Sequence, residues 1–253
     1  MDLSRIRDDL EKFAEALSRE EYLTRAGLKD ESRAAAIRER YASLASRSLF
    51  DEVWGKARAA SGNEEARGLR FLAEFLGTNW IEYQVRESSD RLTTAEAGQT
   101  IAVDGERIPL RSAEVRIKNE ADRSRRAALE LSRLSAVAEL NGLRREILER
   151  SHAEVQRLGF AGYTSFCQEL SGIDLVALRE LTRPILSRTQ DMYRDLLAWY
   201  LRRRLGVEPR EARRHDLARL FRAPEFDGSL PPGTLREAAE APLRRMGIDP
   251  NAA

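Results

Sequence analysis

Two long helical runs fill residues 119–206, and they constrain the chain more than any other feature in it. In the first run, Leu131, Leu134, Ala138, Leu140, Leu143, Ile147, Val155 and Leu158 recur at spacings near three and four. In the second, Leu178, Leu181, Ile185, Met192, Leu196 and Tyr200 do the same. That period gathers the apolar side chains on one stripe per helix, and each stripe predicts a neighbour that buries it. The runs meet in LGFAGYTSF, residues 158–166. There Gly159 and Gly162 open backbone angles that other residues avoid, and the aromatics predict packing beneath the joint. The plainest consequence is a helical hairpin in an all-α core. Asn119, with Glu120 and Asp122 behind it, predicts the cap of the first run, and Asn141-Gly142 a kink or break within it. Asp174 predicts the cap of the second run, Pro184 a kink or split, and Gly206 its end.

The rest of the chain is punctuated in the same way. Leu3, Ile6, Leu10, Phe13 and Leu17 predict a first helix that stops near Gly27. Asp30 predicts the cap of a second, with Ile37, Tyr41 and Leu44 on one face; Val53, Trp54 and Ala57 extend helical character to Ser61-Gly62. Asn63, followed by Glu64 and Glu65, predicts the cap of a third helix with the stripe Leu69, Leu72, Leu76, Trp80 and Tyr83. The bulk of Phe71, Phe75 and Trp80 predicts that this helix is buried. The strand signal lies in residues 100–111, where Asp104-Gly105 between two short apolar runs predicts a β-hairpin, with Pro109 on an edge. Val115 and Ile117 suggest a third short strand. Residues 207–233, rich in Pro and Gly, predict an irregular stretch without a helix of conventional length. Thr234 and Glu237 have capping-box spacing for a final helix with Leu235, Ala239, Leu243 and Met246 on one face and a stop at Gly247. The fold class that follows is mostly all-α: a multi-helix array with one small β-hairpin near residues 100–111. It reads as two segments, 1–118 and 119–253, whether these fold as two domains or one.

Composition closes off several classes of function. Lys plus Arg (43) nearly balances Asp plus Glu (42), so no global field draws the protein to nucleic acid or to an anionic membrane. Residues 202–215 are a local exception, with six Arg against two Glu. Arg202, Arg203 and Arg204 occupy the last turn before Gly206, where a helix dipole favours cations, and that structural reading suffices without a nucleic-acid partner. No apolar run approaches the length of a membrane span, and the N-terminus MDLSRIRDDLEKF is too charged for a secretory signal. Cys167 is the single cysteine, which excludes an internal disulfide and fits a reducing, cytoplasmic location.

Catalytic signals are sparse. The histidines are His152 and His215, whereas a catalytic zinc usually takes three protein ligands. His152 and Glu154 fall on different faces of a helix and make poor co-ligands. The zinc-deaminase string His-x-Glu lacks its Pro-Cys-x-x-Cys partner. Cys167, beside Phe166, reads as a small buried hydrophobe rather than the thiol of a pair with His152. There is no Gly-x-Ser-x-Gly elbow, P-loop or dinucleotide fingerprint. No catalytic, cofactor-binding or metal-ligating residue is therefore assigned within this chain.

The joint does carry a resemblance. ILERSHAEVQRLGFAGYTSF, residues 147–166, is a helix ending in Leu-Gly-aromatic followed by Gly-Tyr-x-Ser-aromatic. It resembles the oligoendopeptidase F and thimet oligopeptidase family of zinc metallopeptidases, in which an Arg-x-x-x-Ala-x-x-Leu-Gly-Tyr type of sequence precedes the catalytic part. Arg150, Ala153 and Leu158-Gly159-Phe160 match that pattern loosely, with Phe160 in place of Tyr. HDLARLF, residues 215–221, sits where the family often has a Tyr-Asp-Leu run, and residues 234–249 resemble the helix ending in Leu-Gly that follows. The family's zinc signature, H-E-x-x-H with a downstream Glu, is missing from the chain. The resemblance thus implies the N-terminal, non-catalytic part of a mostly helical peptidase whose two halves flank a deep channel. Zinc would be held outside this chain by the two His of the signature and the later Glu, with the signature Glu helping to activate water. Short peptides would be substrates of the full-length protein, and this chain, one wall of the channel, would be inactive alone. Such a piece predicts uncovered apolar surface on the final helix and on residues 198–205, self-association through it, and a coding sequence that continues past Ala253 into a helix bearing H-E-x-x-H. The alternative is a self-contained helical protein- or peptide-binding module without catalysis.

Overall fold

The computed structural model describes residues 3–229 and 231–249. In order these form α1 (Leu3–Arg25), α2 (Ala34–Arg40), α3 (Arg47–Ala59), α4 (Asn63–Gln84), α5 (Arg86–Gly98), β1 (Thr100–Val103), β2 (Glu106–Pro109) and α6 (Leu110–Asn119). Then come α7 (Arg123–Glu139), α8 (Asn141–Arg157), α9 (Tyr163–Ser171), α10 (Leu175–Tyr200), α11 (Arg214–Arg222) and α12 (Leu235–Arg245). The fold is mostly all-α with one small antiparallel hairpin, as the sequence predicts. Two compact units form, each discontinuous in sequence: Met1–Ala113 with Leu131–Tyr193, and Glu114–Glu130 with Arg194–Ala253. The chain-order segments 1–118 and 119–253 do not follow those lines.

In the first unit α4 is the central element. Its Leu69, Ala73, Leu76 and Ile81 share a core with Phe50, Val53 and Ala57 of α3, Val155 of α8, and Phe166 and Leu170 of α9. Of the predicted stripe, Leu69 and Leu76 are buried and Leu72 and Trp80 pack against the core partly buried, while Phe71 points outward and is 54% exposed. Leu158 and Phe160 of the joint enter the same core, and Phe160 meets Phe166 edge-on at 5.2 Å. Gly159 makes the reversal possible at φ +95°, a conformation a side chain would strain. Gly77 has another reason to lack a side chain: a Cβ there would lie 3.0 Å from both the Phe50 and Phe166 rings.

The hairpin pairs Ile101 with Ile108, and Asp104 (φ 52°) and Gly105 (φ 79°) both take the left-handed backbone that a two-residue hairpin turn requires. Val115 and Ile117 do not form a third strand. The chain turns into α6 directly after Pro109, and Ala113 and Ile117, four apart, are the buried pair. The alternation of two β-branched residues was too short a signal against a helical neighbourhood.

Several predicted caps are supplied by other residues. The N-terminus of α2 is tied down not by Asp30 but by Asp90 of α5, which accepts the Ala35 N–H at 2.9 Å and the Ser32 hydroxyl. α4 begins at Asn63 with Gly62 at the N-cap position; the Asn63 side chain lies outside the described residues. Asn119 is the last residue of α6 rather than a cap, and Asp122 accepts the Arg125 N–H at 2.7 Å to start α7. Asp174 caps α10 as predicted, accepting the Val176 and Ala177 N–H groups at 2.9 Å. The Thr234–Glu237 box does not form, because the Thr234 hydroxyl donates to the Pro231 carbonyl at 2.9 Å instead.

The two long runs depart furthest from their reading. The first breaks at Leu140 between α7 and α8, where Asn141-Gly142 predicts it. On α7, however, Leu131 (71% exposed) and Leu134 point outward, while Leu129, Arg133 and Ala136 are buried, as is Leu140 at the break. Arg126, Glu130 and Arg133 belong to that buried face, so a stripe traced through leucines alone takes the wrong phase. The second run is one unbroken helix, α10, with Pro184 inside it; a proline removes one ladder hydrogen bond, and the remaining turns hold. α10 buries none of its residues, against the expectation that its stripe meets a neighbour.

The second unit also revises the irregular stretch. Residues 207–233 hold the nine-residue α11 together with short 3₁₀ turns at Pro209–Glu211 and Pro224–Phe226, and a third turn, Pro232–Thr234, leads out of the stretch. Gly206 (φ 62°) ends a π-turn at Leu201–Leu205 that follows α10, and Gly247 (φ 78°) stops α12. Among the described residues no helix is long and apolar enough to cross a membrane.

Candidate functional site

Three features stand apart from routine packing. The first is the stripe of α10. Leu178, Leu181, Ile185, Met192 and Tyr193 are all exposed, Leu181 at 71%, and they lie at the three-and-four spacing of one helix face. In the second unit, Leu196 and Trp199 are about half-exposed. Isolated exposed leucines are ordinary, but a continuous apolar row on a 26-residue helix that buries none of its residues is not. On α12, Leu235 and Met246 are likewise exposed. At residues 198–205 the expectation of exposure is only partly met, because Leu201 is buried.

The second is a charged knot in the second unit. Asp216 of α11 is fully buried and accepts from Arg123 Nε at 3.1 Å, Arg126 Nη2 at 3.2 Å and the Arg213 N–H at 3.0 Å. Arg126 is itself only 3% exposed and also donates to the Glu120 and Ala121 carbonyls. Burial by itself pushes the Asp216 carboxyl up; the Arg123 hydrogen bond, the Arg213 amide and Arg126 outweigh it and hold it below the ordinary aspartate value. His215 stands beside it, with Nε2 3.6 Å from Asp216 Oδ1. A carboxylate clamped by two guanidiniums and a backbone amide has no lone pair aimed at a substrate, so the knot holds structure: it caps α11 and ties it to the start of α7. Asp216, at the third position of α11, accepts the N–H of the N-cap residue Arg213, one half of a capping box; with Arg rather than Ser or Thr at 213, the sequence carries no sign of it.

The third is a cavity of about 470 Å³ in the second unit, lined by Arg203, Arg204, Leu205, Arg219, Leu220, Pro224 and Glu225. A second cavity, of about 730 Å³, lies beside Asp195, Ala198 and Trp199 and shares Arg203.

The residues weighed for chemistry are not brought together. Among the described residues no three His, Cys, Asp or Glu side chains are placed to hold a metal ion. His152 is exposed on α8, its ring 5.5 Å from that of Tyr163. Glu154, two residues on, is 1% exposed and is bound by Arg157 and by Trp80 Nε1 at 3.3 Å, so it occupies the opposite face. Cys167 packs against the core, where burial and then the Glu74 carboxylate push its thiol up, keeping it protonated and a poor nucleophile. Comparison with known proteins finds no match by family model, by curated sequence or by solved structure.

Proposed function

We propose that this chain is the N-terminal, non-catalytic part of a zinc-dependent oligopeptidase resembling oligoendopeptidase F. In this reading it forms one wall of a channel that admits short peptides, and the zinc-binding H-E-x-x-H segment lies outside these residues. The single observation that carries the reading is α10: a 26-residue helix with an apolar stripe and no buried residue. A helix of that length in a globular protein owes most of its stability to a partner on its apolar face, and a catalytic half packed there would supply one. The alternative, a helical module that binds a protein or peptide without catalysis, draws on the same stripe as its binding face.

Two measurements separate the readings. Reading the codons after Ala253 should reveal H-E-x-x-H, and the extended protein should bind one zinc and cleave short peptides in a chelator-sensitive way while residues 1–253 alone do neither. A stop codon directly after Ala253, with a stable monomer in solution, leaves the binding module standing instead. The stripe itself is testable on residues 1–253. We expect self-association by sedimentation velocity, and Leu181→Glu with Ile185→Glu should abolish it while shifting stability by no more than about 0.5 kcal/mol each, since both side chains are exposed. A large loss of stability would mean that these side chains are packed within the monomer.

A further inference from the structure

The arginines at the end of α10 are not equivalent. Arg202 Nε bonds Glu208 at 3.0 and 3.2 Å, and Arg204 pairs with Glu225. Arg203, between them, has no carboxylate partner among the described residues; its guanidinium lies over the Trp199 ring, 5.4 Å from the centroid. A helix dipole explains why cations gather at this terminus. It does not explain Arg219, which reaches the same cavity from α11. Arg219 Nη1 donates to the Lys118 and Asn119 carbonyls, both at 3.1 Å, so the guanidinium is held in place with Nε and Nη2 uncommitted among the described residues. Arg203 is presented from the π-turn Leu201–Leu205, a backbone irregularity often found at functional sites. Arginines from two elements thus line one cavity together with the apolar Leu205, Leu220 and Pro224, and Glu225 is the one carboxylate in the lining. The cavity volume is that of a small-molecule site.

We propose that this cavity binds a small monocarboxylate with an apolar body. The carboxylate lies against Arg203 and Arg219, whose planar forks match its two oxygens, and the body lies on Leu205, Leu220 and Pro224. Glu225 occupies Arg204 and acts as an internal competitor for the incoming anion. The site stands on geometry independent of the peptidase reading and can be tested without any catalytic activity.

The test is a titration of residues 1–253 with N-acetyl-leucine, followed by NMR shifts of Trp199 and Arg side chains. Saturable binding is expected. N-acetyl-leucinamide, the same body without the charge, and inorganic phosphate, a charge without the body, should each bind at least about tenfold more weakly. Arg203→Ala should weaken N-acetyl-leucine binding by about tenfold or more, and Glu225→Gln should tighten it several-fold by freeing Arg204. Arg203 is exposed and anchors no element, so its loss should leave the circular dichroism spectrum unchanged, and Arg203→Lys, which keeps the charge without the fork, should restore only part of the affinity. The proposal is overturned if N-acetyl-leucine does not saturate, if the amide or phosphate binds equally well, or if Arg203→Ala binds like the parent protein.

Discussion

Replacing Phe50 with alanine should destabilise the first compact unit by about 3–5 kcal/mol, the usual cost of emptying a buried aromatic site. Phe50 is fully buried, packs against Phe160 with ring centroids 6.3 Å apart, and lies against Gly77 of α4. Its neighbours come from four stretches, α3, α4, α9 and the 158–166 joint, so no single side chain can collapse into the void. Gly77→Ala should also destabilise, although a helical Gly→Ala change normally gains about 1 kcal/mol, because the new methyl meets two rings that the core holds still. Combining Gly77→Ala with Phe50→Leu should recover part of the loss, since the smaller side chain makes room for the methyl. Urea unfolding followed by Trp54 and Trp80 fluorescence measures all four proteins. A Phe50→Ala cost below about 1 kcal/mol would contradict the packing described, since full burial of an aromatic does not come so cheaply.

Asp216→Asn should cost about 3–5 kcal/mol in the second unit, because it leaves the buried guanidinium of Arg126 without its counter-charge. Arg126→Ala should be severe for the same reason in reverse, whereas Arg123→Ala should cost less, since Arg123 is 43% exposed and water already screens it. Hydrogen exchange of the α11 amides reads the effect locally. Equal protection in Asp216→Asn and the parent protein would show that the knot contributes nothing. The same carboxylate sets an acid dependence. Its folded-state pKa is lowered, so its contribution is fully present above the ordinary aspartate value of about 3.9 and is lost as pH falls through the folded value. α11 should therefore loosen in that acid window in the parent protein, and the Asp216→Asn variant should lack this component.

Elements set by neighbours in sequence were legible from the sequence. The hairpin needed Asp104-Gly105 to take two left-handed residues, and it formed. Gly27, Gly206 and Gly247 stop helices because each takes a positive φ, and Asp174 caps α10 from two and three residues before the amides it accepts. The stripe of α4 is legible in part: Leu69 and Leu76 are core, Leu72 and Trp80 pack against it, and the buried Asn79 on the same helix takes a hydrogen bond from Arg38 that no period reveals. The candidate sites were much less legible. His152, Cys167 and His215 are not brought together, and the basic run at residues 202–215 gives no sign in sequence that Arg203 shares a cavity with Arg219.

The tertiary structure decided everything that needed a distant partner. Hydrophobic period states which face of a helix is apolar, not whether anything covers it, so the stripes of α4 and α10 look alike in sequence although one is core and the other is bare. The buried face of α7 was hidden because a paired arginine or glutamate can point inward, and its partner cannot be found by counting leucines. Asp90 caps a helix 55 residues away, and Asp216 clamps an arginine 93 residues away, in place of the adjacent caps that local spacing favours. Arg203 and Arg219 line one cavity because the segment Leu201–Leu205 and α11 both border it. Local preference sets where helices begin, end and turn; the pairing of charges and apolar faces across long chain separations is fixed only when the whole fold closes around them.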